Sequence, residues 1–414
     1  MNRKPLPKNK KKGTTKRQHY VPQMILRRFS DDNATTGLIV LKDGRRIERA
    51  PFKQQCYGDY FYGDDQVIEN SFAASETTVG AYLGDLSKSH LESLSNDDLR
   101  RLKVFVHYQL LRTQGAAKSA SNFLAEHVRS MVRGTAQLND NLDVLEGIDD
   151  VNIRFKNMQL ETTWQAAKTT PVVMDLCVKF LFGTGFIIGD HPVAQYNQFA
   201  EQHPVFSKYP ATNGLALKGL QLFMPLSPRV TLAVYDPGVY DYGDKDSLFV
   251  EATATDVESL NRMQTINALE CCFFDRQHAP GEFHTLLQAR AVHPCLYEKP
   301  VAESQFIRNP DKTISRFVMV AHRGTRIGAS FSFVKITDTS PYEGYDEGTL
   351  PVRYEGLLWI LEFFDNHVEK ALAAGRADRQ AGLPVDSSQL LRDYDRLYPE
   401  WRSSAQRDPN EPLA

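Results

Sequence analysis

Two glutamates stand where a purely structural protein seldom places charge. Glu69 and Glu76 are seven residues apart in a segment with helical periodicity, so they lie on one helix face, two turns from each other. The same face carries Phe72 and Val79. Because the burial of an unpaired carboxylate costs free energy, each glutamate is predicted either to bind a metal ion or to pair with an arginine.

A histidine and an aspartate complete this candidate site. His19 comes just before a short predicted helix, and Asp190 lies in a turn directly after the apolar strand predicted at 186–188. Residues in such turns often carry function, because a rigid element supports them. One imidazole and three carboxylates suit Mg²⁺ or Mn²⁺, ions that activate water and stabilise phosphoryl charge. The predicted metal ligands and catalytic residues are His19, Glu69, Glu76 and Asp190.

Gln109 and Arg112 are the matching features of a later helix. They are three residues apart, so they share a face of that helix. The planar guanidinium of Arg112 could hold a phosphate group, with Gln109 beside it, and both are therefore predicted site residues. A structural alternative stays open for every member of the set. Arg112 could neutralise a glutamate, Asp190 could cap its own turn, and His19 could be a packing residue.

Composition indicates an ordinary globular protein with a basic arm. The chain has 414 residues, 42% of them hydrophobic and 24% charged, and its formal net charge is −2. This length predicts two or three domains or subdomains. Residues 1–17 contain eight lysines and arginines and no acidic residue. Such an arm is predicted to be disordered, and it could bind nucleic acid through phosphate contacts or act only as a solubilising tail.

Several kinds of protein are disfavoured by what the sequence lacks. There is no run of about 20 apolar residues that would span a membrane, and no apolar segment follows the basic arm as in a secretory signal. The five cysteines show no C-x-x-C spacing, so neither a disulfide framework nor a zinc site is expected. P-loop, G-x-S-x-G and H-E-x-x-H motifs are missing. A cytoplasmic location is expected.

The pattern of elements predicts an α+β fold with segregated halves. A helical N-terminal half with one small β-hairpin, around the Asp43-Gly44 turn, is followed by a mainly antiparallel β C-terminal half. One long helix is predicted from Ser95, with a capping box to Asp98, to about Val132. A late hairpin is predicted between 317–321 and 327–336.

Four regions are predicted along the chain. Residues 1–17 are the disordered arm, and residues 18–280 are a core domain whose helical part extends to about 165. Residues 281–400 are a C-terminal extension with a β-hairpin and helices, and residues 401–414 are a polar tail.

The segment Gln18-His19-Tyr20-Val21-Pro22, followed by Leu26-Arg27 and Phe29, resembles the opening signature of the bacterial family called domain of unknown function 4238. Further landmarks follow in the family's order over about residues 18–275. They are Phe61-Tyr62, Ile68-Glu69, Glu76, Gln109, Arg112-Thr113, Phe186-Ile187, Asp190, Pro192-Val193, Phe223, the run Pro225-Leu226-Ser227-Pro228, and Leu260-Asn261.

The resemblance implies a role in defence, because members of that family are similar to genes found among bacterial anti-phage loci. The leading hypothesis is an anti-phage or toxin-like effector, a divalent-metal-dependent nuclease or phosphodiesterase that acts on nucleic acid or a nucleotide. The alternative is a non-catalytic sensor or interaction protein, in which the acidic residues and Arg112 form a structural core network.

Overall fold

A computed structural model describes most of the chain, namely residues 15–64, 66–138, 157–209, 212–278, 283–292, 301–308, 314–321, 326–342 and 351–354, with 357–358, 361–362 and 396. The predicted disordered arm is described only at 15–17, and the predicted polar tail at 401–414 lies outside the described residues. Most of the predicted extension after residue 342 lies outside them as well.

The N-terminal region begins with strands that surround the signature segment, Gln18 to Pro22. Strand β1 pairs with β4 in an antiparallel ribbon, and β2 and β3 form the predicted hairpin. Pro22 precedes the short helix α1, as its fixed φ favours. The bounds are β1 Arg17–His19, α1 Gln23–Leu26, β2 Thr35–Val40, β3 Arg46–Pro51 and β4 Tyr57–Asp59.

Helices follow as α2 Val67–Leu83, α3 Lys88–Glu92, α4 Asn96–Leu111, α5 Gln114–Leu138 and α6 Met158–Lys168. The predicted capping box of Ser95 and Asp98 is confirmed at the start of α4. The predicted single long helix is wrong, because the chain leaves helical geometry at Arg112, with φ −91° and ψ 4°. The Thr113 hydroxyl then accepts the backbone N–H of Ala116 and starts α5.

The C-terminal region contains a five-stranded sheet of order β11-β5-β9-β8-β7, in which β11 and β5 are parallel and the other neighbours antiparallel. Its elements, with those that follow, are β5 Cys177–Phe182, β6 Ile188–Gly189, β7 Ala194–Tyr196, α7 Gln198–Gln202, β8 Gln221–Ser227, β9 Val230–Tyr235, β10 Tyr240–Tyr242, β11 Phe249–Glu251, α8 Ala254–Asn267, β12 Cys271–Phe274, α9 Phe283–Val292, β13 Val301–Arg308, β14 Ile314–Ala321 and β15 Val334–Ile336.

A second sheet unites the two halves and corrects the predicted segregation. Its order is β3-β2-β12-β6, with Phe273 of β12 opposite both Leu38 of β2 and Ile188 of β6. The fold is mixed α+β with strands from residue 17 onward, so the division into a helical half and a β half is wrong. A two-stranded hairpin alone is marginally stable in water, and β12 extends it by pairing with the free edge of β2.

The late hairpin also forms differently from the prediction. Strand β14 pairs with the preceding strand β13, whereas β15 pairs with β10. The pairing predicted between 317–321 and 327–336 is therefore wrong. Residues 301–308 are the partner of β14, since the two strands pair over eight positions.

The largest apolar cluster contains residues of α1, α2, α4, β5, β8, β9 and β12, so both sequence halves contribute to one core. No helix in the described ranges is long and apolar enough to cross a membrane.

Candidate functional site

Arg112 is the centre of a buried polar cluster at the end of α4. Its side chain is 2% exposed. Arg112 Nη2 donates to Glu76 Oε1 at 2.6 Å, and Nε donates to Gln109 Oε1 at 2.9 Å. The guanidinium also lies 4.4 Å from the centre of the Phe72 ring, a cation–π arrangement. Burial lowers the pKa of Arg112, but the charge and hydrogen bond of Glu76, together with Tyr62 and the Glu69 charge, outweigh this effect and hold that pKa above its usual value.

The same cluster binds the signature segment. Gln109 Nε2 donates to the backbone carbonyl of Tyr20 at 2.7 Å, and the Tyr62 hydroxyl donates to the carbonyl of Arg112 at 2.9 Å. The fully buried Gln18 amide accepts the backbone N–H of Tyr62 at 2.5 Å. These contacts hold α4, the signature segment and the turn that contains Tyr62 against one another. We call Gln18, Tyr62, Glu76, Gln109 and Arg112 the signature network.

Glu69 lies beside the network without joining it. In the described part of the chain its carboxylate has no hydrogen-bond or ion-pair partner. Burial raises the pKa of Glu69 to about 7, while the Arg112 charge acts in the opposite direction and the Glu76 charge adds to the rise. Glu69 is therefore a half-buried carboxyl group that changes its proton occupancy near neutral pH.

His19 is half-buried at the end of β1, on a different set of partners. Its Nε2 lies 3.3 Å from the Lys53 carbonyl oxygen, and Gln23 Nε2 lies 2.9 Å from the same ring nitrogen. The ring also packs against Tyr57. Burial lowers the pKa of His19, so the imidazole is neutral at pH 7 and satisfied by local contacts.

Asp190 anchors the turn between α8 and β12. One carboxylate oxygen accepts the backbone N–H of Leu269 at 2.6 Å, and the other accepts those of Glu270 at 2.7 Å and Cys271 at 3.3 Å. Burial raises the pKa of Asp190 to about 6, although these three donors act in the opposite direction. The carboxylate therefore holds a distant segment of chain rather than capping its own turn.

The turn at Asp190 is linked back to the helix break. The Thr113 hydroxyl bonds Nδ1 of His191, the next residue after Asp190. Burial lowers the pKa of His191 to about 4, so this imidazole is neutral and can accept the hydroxyl proton. The contact joins the α4–α5 junction to the chain that enters the second sheet.

The six predicted site residues therefore do not all lie in one cluster. Glu76, Gln109 and Arg112 are brought together, Glu69 is their neighbour, and His19 and Asp190 have partners elsewhere. Among the residues that the structure describes, no three or more His, Cys, Asp or Glu side chains are arranged to hold a metal ion. The assignment of His19, Glu69, Glu76 and Asp190 as metal ligands stays a prediction. The pocket over Arg112, Glu76 and Phe72 has a volume of only about 10 Å³, room for one water.

The family profile of a protein of unknown function, DUF4238, matches residues 17–278, more than half of the chain. The chain belongs to the DUF4238 family. The matched range includes all six predicted site residues and ends just after β12, so it covers the four strands of the sheet that joins the two halves. No curated protein and no solved structure matches this DUF4238 chain.

Three residues of this DUF4238 site were not predicted as site residues, although all three belong to the family landmarks. Gln18, Tyr62 and Thr113 supply contacts that hold the network together. Gln18 and Thr113 each stand between two polar residues and Tyr62 follows Phe61, so their residue types are only a weak signal. Their roles depend on contacts over 44 to 78 residues of chain.

Proposed function

We propose that this DUF4238 protein is a non-catalytic sensor or interaction protein whose polar signature residues form a structural network. One observation carries the proposal, namely that Arg112 holds the Glu76 carboxylate at 2.6 Å while Gln109 holds Arg112. The Oε1 atom of Glu76 is thus engaged in an ion pair with a buried guanidinium. Removal of one partner of such a buried pair is strongly destabilising, which explains why a binding protein needs these residues.

The occupied carboxylate of Asp190 supports the same proposal. Both of its oxygens already accept backbone N–H groups. A metal ion at these oxygens would compete with the donors that anchor the chain at Leu269 and Glu270. The network and this anchor together make a rigid scaffold, which suits a protein that presents a fixed surface to a ligand or a partner.

The test compares wild type, Glu76→Gln and the exposed control Glu48→Gln. Each protein is incubated with RNA and with DNA in Mg²⁺ or Mn²⁺, and its thermal unfolding is recorded with metal and with EDTA. We expect no metal-dependent cleavage, and a melting temperature that falls only in Glu76→Gln and by the same amount with metal and with EDTA. Metal-dependent cleavage by wild type and Glu48→Gln, lost in Glu76→Gln, would contradict the proposal.

A second proposal is the divalent-metal-dependent phosphodiesterase or nuclease of an anti-phage effector. The observation that favours it is Glu69, a carboxylate without a partner in the described residues, beside Glu76 and with a pKa of about 7. A group with this pKa can exchange protons at neutral pH. In the same assay, this proposal expects metal-dependent cleavage that Glu69→Gln removes. Nucleic-acid binding through the basic arm, residues 1–17, belongs to either proposal.

A further inference from the structure

A cleft with a volume of about 480 Å³ lies apart from the residues of the signature network. It is bordered by the end of β2, the first turn of α5, the turn between α8 and β12, and one side chain of α9. Its volume is within the range of small-molecule sites, about 300–1,000 Å³. Its residues are Val40, Leu41, Lys42, Gln114, Lys118, Leu269, Glu270 and Arg290.

The charged side chains of the cleft favour an anion. Lys42, Lys118 and Arg290 oppose the single carboxylate of Glu270, which gives three positive charges against one negative and a net charge of +2. Lys42 and Lys118 are exposed and have no hydrogen-bond or ion-pair partner among the described residues. Both ammonium groups are therefore available to a ligand, whereas the chain as a whole is slightly acidic.

Arg290 adds a positive charge to the cleft and also forms part of the cleft wall. Its Nη1 donates to the carbonyls of Thr265 at 2.8 Å and Ala268 at 2.6 Å, at the C-terminal end of α8. Cations are favoured at this end of a helix. The guanidinium is held in place by these contacts, so the cleft keeps a fixed positive charge.

Contacts made by the family landmarks hold the cleft in shape. The Asp190 carboxylate accepts the N–H groups of Leu269 and Glu270, and the Glu270 carbonyl accepts the N–H of Leu41 at 2.9 Å. On the other side, the Tyr20 hydroxyl donates to Gln114 Oε1 at 3.4 Å. A site preorganised in this way spends less free energy on ordering when it binds.

Apolar side chains complete the cleft. Val40, Leu41 and Leu269 line it beside the charged residues. Inorganic phosphate alone would leave this surface uncovered. A ligand that has an anionic group to contact the lysines and an apolar or heteroaromatic group to contact the apolar side chains would use both parts of the site.

We propose that this cleft binds a nucleoside phosphate, with its phosphates at Lys42 and Lys118 and its nucleobase against Val40, Leu41 and Leu269. The inference rests on the proposed function, a protein that binds rather than cleaves, and it names the class of ligand. It also gives the landmarks Tyr20 and Asp190 a shared purpose, since both support the walls of the cleft.

The test is isothermal titration of the full chain in EDTA at low salt with ADP, GDP, inorganic pyrophosphate and adenosine. We expect at least one of the two nucleotides to bind more tightly than pyrophosphate, and adenosine not to bind. The double variant Lys42→Ala/Lys118→Ala should weaken nucleotide binding at least tenfold. The control Lys208→Ala/Lys335→Ala removes the same charge from exposed positions elsewhere and should keep wild-type affinity. Circular dichroism melting checks that both variants fold.

Failure of both nucleotides to bind wild type, or an equal loss in both double variants, would overturn the inference. Pyrophosphate binding as tightly as the nucleotides would also overturn it, because the nucleobase and the apolar side chains of the cleft would then contribute nothing to the affinity. The EDTA keeps this result separate from the cleavage assay. Loss of nucleotide binding leaves the network proposal standing, whereas metal-dependent cleavage at Glu76 would remove that proposal whatever the cleft binds.

Discussion

Arg112 contacts four other residues in and beside the signature network. Its guanidinium neutralises Glu76, donates to Gln109 and covers the Phe72 ring, while its carbonyl accepts Tyr62. Arginine suits this position because its planar group offers several fixed donors and stays charged when buried. Lysine offers one point charge and could not keep this geometry.

The charge of Glu69 gives a prediction about pH. Its pKa in the folded protein, about 7, is higher than the ordinary value of 4.5, so the folded state holds its proton more tightly than the unfolded state. The free energy of unfolding therefore decreases as pH rises from about 4.5 to about 7. Glu69→Gln removes this contribution. We expect the variant to gain stability relative to wild type through that interval, as measured by urea unfolding at a series of pH values.

The comparison isolates Glu69, since other groups titrate in both proteins. Asp190, whose pKa of about 6 is also raised, contributes a similar slope that cancels in the difference. A stability difference that stays constant from pH 4.5 to pH 7 would show that Glu69 is not the group responsible.

Helical spacing predicted that Glu69 and Glu76 share one helix face and that Gln109 and Arg112 lie together on another helix, because spacing fixes which residues share a face. The catalytic and metal-binding roles given to these residues stay predictions. The partner of Arg112 could not be chosen, since Glu69 and Glu76 occupy the same stripe of α2. The role of Asp190 was also hidden, because its partners at 269–271 lie about 80 residues later in the sequence.

At the scale of elements, the break between α4 and α5 determines where the network is placed. Arg112 and Thr113 stand outside helical geometry and so reach Glu76 and His191 in different directions. One continuous helix was predicted here because apolar periodicity continues on both sides of the break, and the nearest glycine, Gly115, lies inside α5 rather than at the break. The Ser95 cap was predictable because its capping box is a local pattern, whereas the break depends on tertiary partners of Arg112 and Thr113.

Thr113 should therefore matter as a helix cap. Thr113→Ala removes the acceptor of the Ala116 N–H and the partner of His191, and we expect a loss of about 1–2 kcal/mol in the free energy of unfolding. Thr113→Ser keeps the hydroxyl and should keep most of the stability. Urea unfolding of the three proteins measures this, and equal destabilisation by alanine and serine would argue against a capping role.

At the scale of the whole molecule, the two sequence halves share one core. Strand β12 pairs with β2, and the α4 side chain of Lys103 donates to the carbonyls of Met174 at 2.6 Å and Leu176 at 2.9 Å. These contacts cross the boundary near residue 165 that the composition suggested. The predicted clustering of helices in one half and strands in the other was wrong, because a pattern along the sequence could not show that a late strand returns to the first hairpin.

The shared core predicts that the helical part cannot fold alone. A fragment of residues 1–168 lacks β12 and the acceptors of Lys103, so it should leave β2 with an unpaired edge and a buried ammonium without partners. We expect no cooperative unfolding transition by near-ultraviolet circular dichroism, in contrast to the full chain. A sharp thermal transition in the fragment would instead support an independent helical domain.

The central claim, that the acidic and arginine residues act as a structural network, is tested most directly by a double-mutant cycle between Glu76 and Arg112. The free energy of unfolding is measured in urea at pH 7.5 for wild type, Glu76→Gln, Arg112→Met and the double variant. We predict a coupling energy of about 2 kcal/mol, within the range for residues of one salt-bridge network, about 0.5–3 kcal/mol. Additive effects, with a coupling energy below about 0.3 kcal/mol, would contradict the network and leave Glu76 available for other chemistry.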